Sequence, residues 1–364
     1  MVSHCPSMKI AINGFGRIGR ASFKIALDKT GLEVVAINDL TNPRVLAHLL
    51  KYDTAYGIFM KDIYLEEDGV KVRLENYKGE KDFFTTHATE TILVVDGRKT
   101  LMLGEKDPAK LPWGVLGVDV VLECTGRFTE NDAAMAHINA GAKKVVVSAP
   151  TKGGIAETFL MGVNSDKLGN QTIISNASCT TNCISPVVNV LHSKFGILKS
   201  ALTTVHAITA EQNNVDGPPP PLHPDLRRAR ASGYNMVPTS TGAAKATTEV
   251  IPDLKHKFDG ISIRVPIITG SISDITMVFS RKTTVEEVNQ VLIDASKNPM
   301  YQGVISATYE QIVSSDIIGS PFSAIVDLTL TRVIDGDLVK VLAWYDNEWG
   351  YSNRLVEMTL LAGR

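Results

Sequence analysis

The stretch "INGFGRIGR", residues 12–20, decides the fold. It sets Gly14, Gly16 and Gly19 in the spacing G-x-G-x-x-G, directly after the apolar run "KIAIN" and at the opening of a helical pattern that starts at about Gly16. On its own the spacing is a weak pattern; the strand, turn and helix in register make it specific. The first glycine permits a tight turn, the second lets backbone approach a pyrophosphate, and the third lets helix and strand pack closely. The anion would then rest on the helix N-terminus, where N–H groups and the dipole favour it. Asp39 closes the next strand, "EVVAIND", about 20 residues past Gly19, a position that suits a carboxylate on ribose hydroxyls. A carboxylate there repels a 2′-phosphate, so the pattern favours NAD over NADP.

Outward from this motif, short β-branched runs alternate with helical patterns. A helix is predicted from Pro43, buried strands at "DVVLEC" and "KKVVVS", and a helix carrying Ala133, Ala134, Ala136 and Ile138 between them. This punctuation predicts a parallel, doubly wound, Rossmann-type sheet. After Cys179 the strand patterns become longer and Thr-rich ("ALTTVHAIT", "ISIRVPI", "ISDITMVFS", "DLVKVLAWY"), with few helices between them. They predict a mixed or antiparallel sheet in a second, α+β domain. The expected division is 8–178 for the NAD-binding domain and 179–350 for the catalytic domain, with a C-terminal helix at 351–364 docking back on the first. Residues before Met8 read as a loose extension.

At 364 residues and 44% hydrophobic, the chain is long enough to bury two cores. Lys plus Arg number 37 against 39 for Asp plus Glu, a net charge of −2 that provides no global field for nucleic acid or an anionic membrane. Apolar runs such as 145–147 fall far short of the roughly 18 residues of a membrane helix. The N-terminal stretch lacks a secretory pattern, so the expected location is the cytoplasm, where disulfides are rare.

"SNASCTTNC", residues 175–183, holds two of the four cysteines. No other cysteine or histidine cluster has zinc-like spacing, so no metal is expected, and the pair is not the C-x-x-C of redox motifs. The spacing Ile184, Val187, Val188, Leu191 predicts a helix starting just past Cys179, with Pro186 near its first turn. Cys179 at the helix N-terminus would have its thiol pKa lowered by the dipole, while Cys183, four residues on, would turn inward. The residues alone leave Cys179 open between a buried cysteine and a nucleophile. His206, in "TTVHAIT" beside Thr203, Thr204 and Thr209, is the best-placed candidate base, and it too stays open against a core histidine. Groups suited to a phosphate are Thr180, Thr241 and Gly242 of "TSTGAAKA", Arg264 of "SIRVP", and Arg227, Arg228 and Arg230.

Together "INGFGRIGR", "SNASCTTNC", "LRRARA", "STGAAKA", "RVP" and "WYDNEWGYSNR" resemble the phosphorylating glyceraldehyde-3-phosphate dehydrogenases, from about Lys9 to Leu361. The resemblance implies a homotetramer in which Cys179 attacks the substrate aldehyde and His206 is the base. It implies substrate and phosphate contacts at Ser178, Thr180, Thr209, Arg228, Thr241, Gly242 and Arg264. For NAD it implies Gly14, Gly16, Arg17, Ile18, Gly19, Asp39, Lys106, Ser148 and Asn347, the last on the carboxamide. Lys106 stands where the family often has arginine. Two stretches depart from common family versions. One is the proline run 218–221, where Pro221 and Leu222 fall near apolar residues that exclude a 2′-phosphate. The other is 269–274 in "PIITGSISDI", expected to alter phosphate affinity. The rival readings are a D-erythrose-4-phosphate dehydrogenase and a non-catalytic NAD-binding interaction protein.

Overall fold

In the computed structural model, which describes residues 7–76, 89–219 and 225–364, the chain divides into two units. The first comprises Met1–Glu157, Gly169–Asn176 and Leu355–Arg364, and the second Thr158–Leu168 and Ala177–Arg354. The division departs from the sequence reading at 158–168, at 177–178, which open the second unit, and at the last helix. Residues 158–168 fall with the second unit because Leu160 is wholly buried in its core. The last helix, Trp349–Ala362, is shared: only its part from Leu355 belongs to the first unit. The extension at 1–6 lies outside the described residues.

In the first unit, Met8–Asn13 is buried from Ile10 onward because strands lie on both sides of it. It pairs in parallel with Leu32–Asn38 and with Val120–Glu123. Lys144–Val147 and Ile173–Ser175 extend the sheet in parallel on one side. Arg98–Leu103 does so on the other, followed by the antiparallel strands Thr91–Val95, Ile63–Glu67 and Val70–Arg73. Strand order therefore reverses between Met8–Asn13 and Val120–Glu123, the switch point where α/β sheets bind ligands beyond their carboxyl ends. Both strands are followed there by a loop.

The second unit carries an eight-stranded mixed sheet. Its centre is Ile197–Ala207, parallel to Phe258–Val265 and antiparallel to Ser271–Phe279, which pairs in turn with Leu338–Tyr345. Buried and part-exposed residues alternate without a break along Ser271–Phe279, as expected of a strand with one face covered. The cover includes helix Cys179–Phe195, whose Ile184, Val187, Val188 and Leu191 share a core with Leu202, Ile275, Met277, Val339 and Val341. Each such side chain contributes roughly 1.5–3 kcal/mol of burial. Pro186 sits in the interior of this helix rather than in its first turn, since Cys179 is already helical. It withholds one backbone N–H there, and the packing of its neighbours holds the helix regardless.

Register places the site. His206 is paired with Arg264, and Ser271 with Tyr345, so one end of four adjacent strands presents an imidazole, a guanidinium, a hydroxyl and a phenol.

Candidate functional site

Cys179 opens its helix. The Ser178 side chain caps it, accepting from the Thr181 N–H at 3.1 Å, and the Cys179 sulfur stands 3.4 Å from His206 Nε2. On the far side of the imidazole, Nδ1 lies 2.7 Å from the Ala207 carbonyl oxygen and 2.9 Å from Arg264 Nη1. The carbonyl only accepts, and Arg264 Nη1 has two other acceptors for its protons, so the contacts favour the tautomer in which Nδ1–H donates to the carbonyl and the Nε2 lone pair faces the thiol. Arg264 Nη1 donates to that same carbonyl and to Thr209 Oγ1, each at 3.2 Å.

Electrostatics reverse one sequence expectation. Burial pushes the Cys179 thiol above its ordinary value, and Arg264 together with the Thr180 hydroxyl and backbone N–H only partly offsets it. The helix-terminus effect thus loses to desolvation. His206 is pulled down to about 3 by burial first, then by the Arg264 charge, against the Ala207 carbonyl. The pair therefore rests as thiol and neutral imidazole, not as an ion pair. The geometry suits proton transfer from sulfur to Nε2 when an electrophile arrives.

The surrounding hydroxyls are less open than the sequence suggested. Thr180 bonds Tyr345 Oη at 2.9 Å, and Thr204 bonds the same phenol at 2.8 Å, while the Tyr345 ring meets His206 edge-on. Thr241 accepts from the Ala243 N–H at the start of the short helix Ala243–Val250, whose N-cap is Gly242. Of the three arginines in "LRRARA", only Arg228 is buried, donating to Thr239 and Glu211 at 3.0 Å each. Arg227 and Arg230 pair with Asp225 and Asp216 at the surface. Cys183 is fully buried with its sulfur toward the Ala343 carbonyl. The departure at 269–274 serves Asn347: its Oδ1 accepts from the Gly270 N–H at 3.1 Å and the Ser271 hydroxyl at 2.9 Å. Gly270 supplies an unambiguous donor, which fixes Oδ1 as the end turned to the strand. Pro221 and Leu222 lie outside the described residues.

In the first unit Gly14 adopts φ +93°, and a Cβ on it would come within 2.8 Å of Thr125 N. A Cβ on Gly19 would meet the Gly14 carbonyl, whereas one on Gly16 would have none of the described residues within 4 Å. The turn thus needs two of its glycines for packing and leaves the third open for approach. No side chain caps the Arg17–Leu27 helix that follows, a free helix start of the kind that binds phosphate. Asp39 closes the cradle, accepting from the Phe15 N–H at 2.7 Å and the Thr41 N–H at 2.8 Å. Arg17 is tied to Asp53 at 2.7 Å, Ile18 is part-exposed, Lys106 is exposed, and Ser148 bonds Cys124. These features fit a dinucleotide.

Sequence reasoning missed Tyr345, Glu211 and the wholly buried Glu123. Glu123 accepts from the Asn13 amide and from the Thr125 N–H, and its other partner is His137 at 2.9 Å. An acid at the end of the apolar run "DVVLE" is the signal that could have found it. Among the described residues no group of His, Cys, Asp and Glu could hold a metal ion.

Comparison with known proteins agrees across the chain. Residues 178–347 match the glyceraldehyde 3-phosphate dehydrogenase C-terminal domain, and residues 8–83 and 75–131 match the NAD binding domain of the same family. A glyceraldehyde-3-phosphate dehydrogenase of Streptomyces coelicolor is 47% identical over 98% of this chain and 99% of its own length. One from Clostridium acetobutylicum is 47% identical over 96% of each, and one from Borreliella burgdorferi 47% identical over 96% of this chain and 98% of its own.

Proposed function

Because the chain belongs to the glyceraldehyde 3-phosphate dehydrogenase family, we propose that it oxidises D-glyceraldehyde 3-phosphate with NAD and inorganic phosphate to 1,3-bisphosphoglycerate, as in glycolysis. The observation that carries the mechanism is the 3.4 Å approach of Cys179 sulfur to His206 Nε2.

Nε2 takes the thiol proton as sulfur bonds to the aldehyde carbon and the C=O π pair moves onto oxygen, giving the thiohemiacetal as its oxyanion beside an imidazolium. NAD, when bound, supplies the hydride acceptor that turns this adduct into a thioester. Phosphate oxygen then attacks the thioester carbon and sulfur leaves as thiolate, to be reprotonated. Arg264, beside the imidazole, and Thr209 are placed to hold anionic oxygens, with Arg228, Thr241, Gly242, Ser178 and Thr180 completing the substrate and phosphate set. Gly14, Gly16, Arg17, Ile18, Gly19, Asp39, Lys106 and Ser148 would hold the dinucleotide, and Asn347 its carboxamide.

A homotetramer in the cytoplasm completes the reading. Tyr234, Met236 and Leu226, all strongly exposed near the arginine segment, support a subunit contact there. No helix among the described residues is long and apolar enough to cross a membrane.

The test is NADH formation from glyceraldehyde 3-phosphate and from erythrose 4-phosphate, each with and without phosphate. We expect strong, phosphate-dependent turnover of the triose; strong phosphate-independent turnover of erythrose 4-phosphate would overturn the assignment. Sedimentation of the purified chain checks the tetramer.

A further inference from the structure

Glu211 holds a place in the anion site that none of the proposed contacts explains. Arg228 is buried, and its Nη1 donates to Glu211 Oε1 at 3.0 Å while Nε donates to Thr239 at 3.0 Å. The Thr209 hydroxyl accepts from Arg264 and has one proton, which goes to the Glu211 carboxylate. The chain of donors therefore runs from Arg264 through Thr209 to Glu211, and from Arg228 to Glu211 on the other side. Two guanidinium groups that repel one another converge on a single carboxylate; burial and then Arg264 hold the Arg228 pKa below its ordinary value. Among the described residues Arg264 Nε has no hydrogen-bond partner, so this guanidinium is not fully satisfied by them.

We propose that Glu211 is a built-in anion that occupies Arg228 and Thr209 when no phosphate is bound, and that sets phosphate affinity by competing for them. Burial raises the cost of its charge, yet the Thr209 hydroxyl and the two arginines hold its pKa below the usual carboxylate range, so it is ionised at neutral pH. An incoming phosphate must displace its contacts with Arg228 and Thr209, or share them against like-charge repulsion. A site with two arginines and no such carboxylate would bind phosphate tightly and release the acyl phosphate slowly. Glu211 lowers the net local charge and speeds exchange. It acts through Arg228 and Thr209 and is a positioning residue, not a catalytic one.

The inference rests on the anion-binding reading proposed above, and the experiment separates the two. Inorganic phosphate, with sulfate as a second probe, is titrated calorimetrically into the full-length protein loaded with NAD. For Glu211→Gln we expect phosphate to bind about tenfold more tightly, equivalent to 1.4 kcal/mol. Glu211→Asp keeps the charge but draws it back by one methylene, so its affinity is expected between wild type and Glu211→Gln. In turnover, the KM for phosphate should fall in the same order while the KM for NAD stays put, a split that general loosening of the fold does not produce. Unchanged or weaker phosphate binding in Glu211→Gln, or in Glu211→Asp should the first variant not fold, overturns the proposal. The control is Arg228→Ala: if it leaves phosphate affinity unaltered, the anion-binding reading fails first.

Discussion

Among the described residues each unit of this chain buries one histidine against a polar partner, and only one of the two is equipped to react. In the first unit His137 is wholly buried, with Trp113 Nε1 donating to Nδ1 at 3.0 Å and Glu123 Oε2 at 2.9 Å from Nε2. Both nitrogens are held by strong partners. In the second unit His206 is almost as buried, with one nitrogen fixed by the Ala207 carbonyl and the other facing only a sulfur, a weak partner. What separates a structural imidazole from a base here is a vacancy in its hydrogen bonding, not its exposure.

The largest expected effect removes the weak partner. Cys179→Ser should abolish phosphate-dependent dehydrogenase turnover by several orders of magnitude while NAD binding, followed by fluorescence titration, persists; substantial residual turnover would remove Cys179 from its role. Next, His206→Asn should cost about 10²–10⁴-fold in turnover and slow alkylation of the Cys179 thiol near neutral pH. Equal alkylation rates in the variant and the wild type would mean that the imidazole does not receive the proton.

A smaller effect concerns acid. The folded pKa of His206 is about 3 against an ordinary 6.5, so between those values the unfolded chain binds more protons than the folded one. Its contribution to stability is therefore full above pH 6.5 and is lost progressively as pH falls toward 3. Urea unfolding across that window should show wild type losing stability more steeply than His206→Asn; parallel curves would refute the buried neutral state. Smallest for the chemistry is His137→Phe, which leaves the Trp113 N–H without its acceptor and takes one partner from Glu123. It should cost about 1–3 kcal/mol of stability and leave the Cys179 alkylation rate unmoved; a slowed alkylation would tie the first unit's histidine to the chemistry after all.

The same contrast explains what was legible in the sequence. The cradle around Gly14, Gly16 and Gly19 is local: turn, helix start and Asp39 are read from spacing, because backbone sterics fix what each position does. The second unit's site joins residues far apart in sequence, and only their residue types hinted at it. Tyr345 was invisible because a strand-ending tyrosine looks like core until its phenol is seen to bridge Thr180 and Thr204. Glu211 was invisible because an acid beside a proposed phosphate site reads as repulsive until its arginine partners are placed. The helix-terminus argument for a lowered Cys179 pKa used a correct local feature and missed the desolvation that outweighs it, a quantity set by strands remote in sequence.

The register pairing of His206 with Arg264 makes the reactive pair a matter of parity. Successive residues of a strand point to opposite faces, so a single residue inserted between 197 and 205 would deliver Val205 to the histidine's place and turn the imidazole to the far face. Two inserted residues would restore the face but put Thr204 there. The strand thus tolerates change in its side chains more readily than in its count, and length, which no single substitution alters, is the hidden constraint on this enzyme's evolution.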